Sequence, residues 1–335
     1  MDYRFFRDIL SFDSTSGTEA AFSAFLAERI GELLGKLCPD NLPSLLRQDV
    51  GDGTENLLYS WGSPRIVYCT HMDTVPPFLP PVEKEDRFEG RGSCDAKGQL
   101  FAMLTACASL ASEGKTDFGL LLLSGEETGS YGAKAFARTD FRAPYLVVGE
   151  PTDNRSVSAS KGTKAFSLSF RGEAFHSGYP QYGISAVDLF VDFVEKLRAA
   201  DLPEDPLLGP TTWNIGRLSS DNPQNILSPS LSCRLYFRTT FATDGMIGDL
   251  VSSLASDRLA VEALGGDEPR RYLTVDGIPA APASFGSDAP HLTNFPNRMI
   301  LGAGSILTAH RPDEFVLKSD LEKAVQQYRY IYEQL

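Results

Sequence analysis

Two textures of apolar and polar positions divide this chain. Up to about residue 160, short unbroken apolar runs are punctuated by glycine-rich turns and followed by helical periodicity. Runs at 66–69, 119–124 and 145–149 are too short for helices and read as buried strands. Residues 56–60 read as a further strand. Between them, 97–110 (rich in Ala and Leu) and 131–137 read as helices, and 19–34 repeats its apolar residues at helical spacing with Ser16 and Thr18 placed to cap it. Strands alternating with helices predict a mostly parallel sheet covered on both faces.

Near Gly162 the pattern changes to strict alternation. Residues 164–171, 211–218 and 231–237 each alternate apolar with polar, the mark of strands with one wet face. Amphipathic stretches at 184–199 and 246–254 and an apolar piece at 259–264 complete a βαββαβ order. That order is a ferredoxin-like two-layer α/β sandwich. The first texture returns near Pro282, with a strand at 299–301 and a final helix from 319. The expected organisation is therefore α/β with one domain inserted in another: 1–162 with 276–335 as the larger, and 163–275 as the insert.

Composition narrows the partners. The chain has 335 residues, 42% hydrophobic and 22% charged, as in ordinary globular proteins. A net charge of −13 argues against nucleic acid and anionic membranes. No apolar run approaches the ~18 residues that span a bilayer. Five scattered cysteines without a Cys-x-x-Cys pair suit reduced thiols, and the N-terminus lacks the order of a signal peptide. The expected location is cytoplasmic.

Five polar motifs follow the apolar runs. His71-x-Asp73 closes the strand at 66–69, Asp95 sits in the glycine-rich loop 90–98 before a helix, and Glu126-Glu127 follows the run at 119–124. Glu150 ends the run at 145–149, and His310 follows a glycine-rich turn at 302–304. Three have a plainer reading: a capped strand end for His71, a helix cap for Asp95, a solvated acidic loop for Glu126-Glu127. Together they place imidazoles and carboxylates beyond the carboxyl ends of strands in one sheet, where α/β proteins concentrate their chemistry. That ligand mixture suits zinc, with cobalt or manganese as substitutes. The loop at 90–98 lacks the third glycine of a dinucleotide fingerprint, which excludes a nucleotide-dependent oxidoreductase.

In this order the motifs resemble the dinuclear zinc metallopeptidase family that includes acetylornithine deacetylase, succinyl-diaminopimelate desuccinylase and the aminoacylases. The likeness runs from Ser11 to the C-terminus. It implies that Asp95 bridges two divalent ions, one also held by His71 and Glu150, the other by Glu127 and His310. Asp73 would orient the His71 ring, and Glu126 would act as general base on the bridging water. It also implies that the insert is a lid in which His176, within Phe-His-Ser-Gly, stabilises the oxyanion, while Asn225 and Arg238 grip the substrate carboxylate. Such a lid allows a homodimer, with His176 supplied by the partner. The function so implied is removal of an acetyl or succinyl group from an N-acyl amino acid such as acyl-ornithine or acyl-lysine, toward which Glu150 in place of Asp leans. The alternative is a dipeptidase or carboxypeptidase. A metal-binding homologue without catalysis is the rival from another class, and the intact Glu126 argues against it.

Overall fold

Unbroken apolar runs become the strands of a buried sheet, and the alternating runs become a separate one. The computed structural model describes residues 1–51 and 53–335. In chain order, α1 (Arg4–Leu10) and α2 (Ala20–Leu37) precede β1 (Ser44–Gly51), β2 (Thr54–Gly62) and β3 (Ile66–His71). There follow α3 (Lys97–Ser112), β4 (Asp117–Leu123), α4 (Tyr131–Phe136) and β5 (Tyr145–Val148). The insert contributes β6 (Gly162–Arg171), α5 (Ala186–Ala199), β7 (Thr212–Ser219), β8 (Ser230–Thr239), α6 (Asp244–Ser253) and β9 (Leu259–Gly265). The chain closes with β10 (Asn297–Ile300) and α7 (Lys318–Gln334).

The chain divides into two compact units, Met1–Ser158 with Tyr272–Ala281 and Ser287–Leu335, and Ala159–Arg271 with Pro282–Gly286. The second begins ahead of the change in pattern at Gly162. Ala159 and Ser160 already pair with Arg271 and Arg270, and Lys161 donates its N–H to the Ala283 carbonyl.

In the first unit a six-stranded sheet runs β1-β2-β4-β3-β5-β10. Strands β4, β3, β5 and β10 are parallel, whereas β1 and β2 form an antiparallel edge. All six residues of β3 are buried, as suits a strand covered on both faces. Helix α3 is buried from Lys97 to Ala111 except at Thr105 and Ser109, lying against β3 and β4 beneath α1 and α7. The Tyr68 hydroxyl donates to the Tyr328 carbonyl (2.6 Å) and the Tyr328 hydroxyl to the Leu301 carbonyl (2.9 Å), which locks α7 onto β3. Neither Ser16 nor Thr18 caps α2; Glu19 stands at the cap position, buried, and Ser16 turns to Asp73 instead.

In the second unit the antiparallel order β7-β8-β6-β9 is that of a ferredoxin-like sandwich. Phe166, Leu168 and Phe170 of β6 and Leu231, Cys233, Leu235 and Phe237 of β8 point to one face and pack with Phe193, Leu197, Ile247 and Val251 of α5 and α6. Burying each such side chain contributes about 1.5–3 kcal/mol. Among the described residues no helix is long and apolar enough to cross a membrane.

Candidate metal centre

Strand register builds the site. His71 is the last residue of β3 and pairs with Leu123, so the loop Ser124-Gly-Glu126-Glu127 leaves β4 beside it. On the other side Cys69 pairs with Val148, and Gly149 donates its N–H to the Cys69 carbonyl (2.7 Å), which brings Glu150 to the same edge. Leu301, just past β10, bonds the Val148 carbonyl and starts the loop that leads to His310. That loop passes so close that a Cβ on Gly302 would sit 2.2 Å from the Gln99 side chain and 2.5 Å from the Glu150 carbonyl. Asp95 arrives from the turn before α3.

Four of the expected ligands touch. The His71 Nε2 lies 3.1 Å from Asp95 Oδ1, and the His310 Nε2 lies 3.2 Å from Asp95 Oδ2 and 2.9 Å from Glu127 Oε1. Each oxygen of Asp95 thus faces a different imidazole. Ligand atoms of His71, Asp95 and Glu127 lie within 4.8 Å of one another. The fifth residue, Glu150, is buried at 4% exposure, and its Oε1 has no hydrogen-bond partner among the described residues. An orphaned buried carboxylate oxygen beside two imidazoles and two acids fits a pair of divalent cations.

Asp73 meets the His71 ring chiefly through its main chain. The His71 Nδ1 is hydrogen-bonded to the Asp73 main-chain carbonyl at 2.9 Å, while the carboxylate stands 3.4 Å away. The reason is that the carboxylate is occupied: it accepts from the Glu126 N–H (3.0 Å), the Glu127 N–H (3.2 Å) and the Ser16 hydroxyl (2.7 Å). Asp73 therefore fixes both the ring and the backbone of the two glutamates.

Crowded acids distort the proton affinities. Burial above all, then repulsion from neighbouring carboxylates, raises Glu126 and Glu150 well above the usual carboxylate range. Burial opposes a charge on Asp95, yet the His310 and His71 rings hold its carboxyl below that range. His310 is pushed up to about 10 by Asp95 and Glu127.

Sequence reasoning missed Asp288. It is 1% exposed, its Oδ1 has no partner among the described residues, and burial pushes it up to about 7. Its charge is among those that raise Glu126 and Glu150. No apolar run precedes it; only the Gly286-Ser287-Asp288 turn hinted at a polar residue.

His176, Asn225 and Arg238 lie in the second unit. His176 is exposed, and its Nδ1 accepts the Gly178 N–H at 3.1 Å. A neutral ring so bonded carries its proton on Nε2 as a free donor. The Asn225 carbonyl accepts the Ser177 N–H (2.9 Å), which joins the two loops, while Arg238 stands near the end of β8 with its guanidinium 5.1 Å from the Tyr236 ring centre.

The sequence profile of the peptidase family M20/M25/M40 matches residues 67–334. The chain belongs to this family. It is accordingly a hydrolytic enzyme that acts on amide bonds. Among curated relatives, a peptidase M20 domain-containing protein of Schizosaccharomyces pombe is 34% identical over 287 residues, 84% of this chain and 72% of the relative. A protein of Aspergillus terreus named a probable carboxypeptidase is 33% identical over 375 residues, 98% of this chain and 85% of the relative. In fold, the M20 chain is similar to a tripeptidase from Staphylococcus aureus, with a TM-score of 0.79, 19% identity, and 98% and 97% of the two chains covered. A Bacillus subtilis protein described as a dinuclear metal-binding peptidase of the M20 family gives a TM-score of 0.65 at 12% identity, with 98% and 97% covered. The resemblance drawn from the motifs is thus met at the level of the family. Its deacetylase branch is not singled out, since the relatives carry peptidase and carboxypeptidase names.

Proposed function

We propose that this M20 member is a dinuclear-metal carboxypeptidase that hydrolyses the amide next to a free terminal carboxylate. The observation that carries the reading is Asp95, with one oxygen facing His71 and the other facing His310. His71 and Glu150 would hold one ion, Glu127 and His310 the other, and Asp95 both. Such ions, when bound, polarise the scissile carbonyl and make a water nucleophilic near neutral pH. Zinc fits this donor set, as does cobalt.

The chain's own groups supply the rest. Glu126, whose backbone is pinned by Asp73, accepts the proton of the attacking water and passes it to the departing nitrogen. Water thereby adds to the carbonyl carbon, the C–N bond breaks, and the amine leaves neutral. The Nε2–H of His176 donates to the oxyanion. The fork of Arg238 and the amide of Asn225 bind the terminal carboxylate.

A second reading, removal of a small acyl group from an N-acyl-ornithine or N-acyl-lysine, is favoured by Glu150 and uses the same machinery. A panel of dipeptides, tripeptides, and N-acetyl and N-succinyl amino acids, each with a free or amidated carboxylate, separates the two. Free-acid peptides should be cleaved best, and amidation should abolish turnover. A higher kcat/KM on any acylated amino acid than on every peptide would favour the second reading. Turnover unaffected by amidation would overturn both.

A further inference from the structure

His71 and Glu150 stand at the ends of paired strands, so the sheet itself fixes them. His310 has no such support. It lies in the irregular stretch between β10 and a short strand at Phe315–Leu317, in left-handed backbone (φ 62°), with its side chain half exposed. Something other than secondary structure must aim its ring at Asp95 and Glu127.

The bonds that do this converge on one buried ion pair. Arg91 is 2% exposed and Glu314 fully buried, with Arg91 Nη1 2.5 Å from Glu314 Oε2. The other oxygen, Oε1, accepts the backbone N–H groups of Cys94 (3.0 Å) and of Asp95 itself (3.1 Å). The Gly90 N–H donates to the Glu314 carbonyl (2.9 Å). Arg91 also reaches the carbonyls of Pro77 (3.3 Å) and Arg311 (3.4 Å). One pair therefore ties together the turn after His71, the loop of Asp95 and the loop of His310. Gln99 adds a second clasp, donating to the carbonyls of Cys94 (2.9 Å) and Ala303 (2.7 Å) and accepting the Ala303 N–H (2.8 Å).

A buried ion pair is a poor source of net stability, because desolvation offsets most of its attraction. Geometry is what it supplies here. We infer that the Arg91–Glu314 pair is a positioning device for the metal centre, on which the ion held by Glu127 and His310 depends far more than the ion held by His71 and Glu150. This rests on the ligand assignment proposed above. Neither residue touches a ligand side chain, yet groups in this outer position commonly alter metal affinity 10–100-fold.

The test is titration of metal-free protein with Co2+, read by calorimetry and by visible absorption. Glu314→Gln should retain one ion at near wild-type affinity and bind the other ~10–100-fold more weakly, with loss of that ion's share of the absorption. Raising free Co2+ should restore its turnover, as expected when a ligand is misplaced and no reacting group is lost. Should Glu314→Gln fail to fold, Arg91→Met with Glu314→Met removes the pair without stranding a buried charge and tests the same point. Tyr332→Phe, which alters the remote bond to Asp117, should leave both affinities unchanged. Equal weakening of both ions, or of neither, overturns the inference. Wild-type protein that binds fewer than two ions overturns instead the ligand assignment beneath it.

Discussion

Glu126→Gln isolates the proton-transfer role from the rest of the site. Glutamine has the size of glutamate, and the backbone at 126 is held by its N–H bond to Asp73 Oδ1 at 3.0 Å, so the loop should not move. The neighbour Glu127 keeps its 2.9 Å contact with His310, so metal content should stay at the wild-type level. What disappears is a base raised above the usual carboxylate range by burial and by the charges of Asp288, Glu127 and Asp95. General base catalysis is worth ~10²–10⁴-fold, or about 2.7–5.4 kcal/mol of barrier at 1.36 kcal/mol per decade. The assay is steady-state kcat on the best peptide of the panel, with metal per chain measured on the same sample by mass spectrometry. Glu127→Gln is the contrast: it should lose metal first and activity as a consequence. A Glu126→Gln enzyme with kcat within threefold of wild type would mean that the base is another residue. Loss of metal in that variant would mean that the two glutamates were assigned the wrong way round.

Other outcomes follow from the same geometry. Chelation should remove up to two ions per chain and all activity, both regained with Zn2+ or Co2+; an active metal-free enzyme would refute the metal reading. His176→Ala should lower kcat by ~10²–10³-fold with KM little changed, the signature of a donor used mainly in the transition state. Arg238→Ala should weaken free-acid substrates strongly while sparing whatever slow turnover the amidated ones retain. Asp117 offers a stability test remote from the site: although burial opposes it, the Tyr332 hydroxyl and the Arg65 guanidinium hold its carboxyl below the usual carboxylate range. A depressed carboxylate stabilises the fold above the unfolded value of ~3.9 and loses that contribution as pH falls. Asp117→Asn should therefore cost ~0.5–1 kcal/mol in denaturant unfolding at pH 7, a screened value for a pair this exposed, and the gap should narrow as pH falls from ~3.9 through the lowered folded-state value. A constant gap across that range would show that the loss was packing.

Burial made much of this molecule readable. The runs ending at Cys69, Leu123 and Val148 are apolar because both faces of the sheet are covered, so the polar residues after them had to mark the strand ends. The strands of the second unit were equally plain, since one wet face forces alternation. Strand β1 escaped notice because it is an edge strand whose residues are mostly exposed, which leaves no apolar pattern. Helix α1 has only seven residues, too few for periodicity. Asp73 was legible as a neighbour of His71, but the direction of its carboxylate depended on the competing N–H groups of Glu126 and Glu127. Glu314 was a bare acid after His310 in the sequence. Its bond to Asp95 spans 219 residues, and nothing local announces such a partner.

The insertion between Ser158 and Tyr272 has a consequence for biosynthesis. These two residues are adjacent in space, with the Tyr272 N–H donating to the Ser158 carbonyl at 3.1 Å, so the chain leaves the first unit and rejoins it at one place. Apart from its short return at Pro282–Gly286, the second unit is one continuous stretch, complete in the chain before the first unit is. The first unit cannot finish. Its sheet lacks β10, Tyr68 lacks Tyr328, and Asp95 lacks both His310 and the carboxylate of Glu314 until the C-terminal segment arrives. At ~5–20 residues per second, the 160 residues from Ser158 to Lys318 take roughly 10–30 s to synthesise. Until Asn297–Ile300 is made the β10 edge of β5 lies open, and until α7 follows so does the face of α3 that it covers, so the N-terminal segment is where a chaperone would find exposed apolar surface.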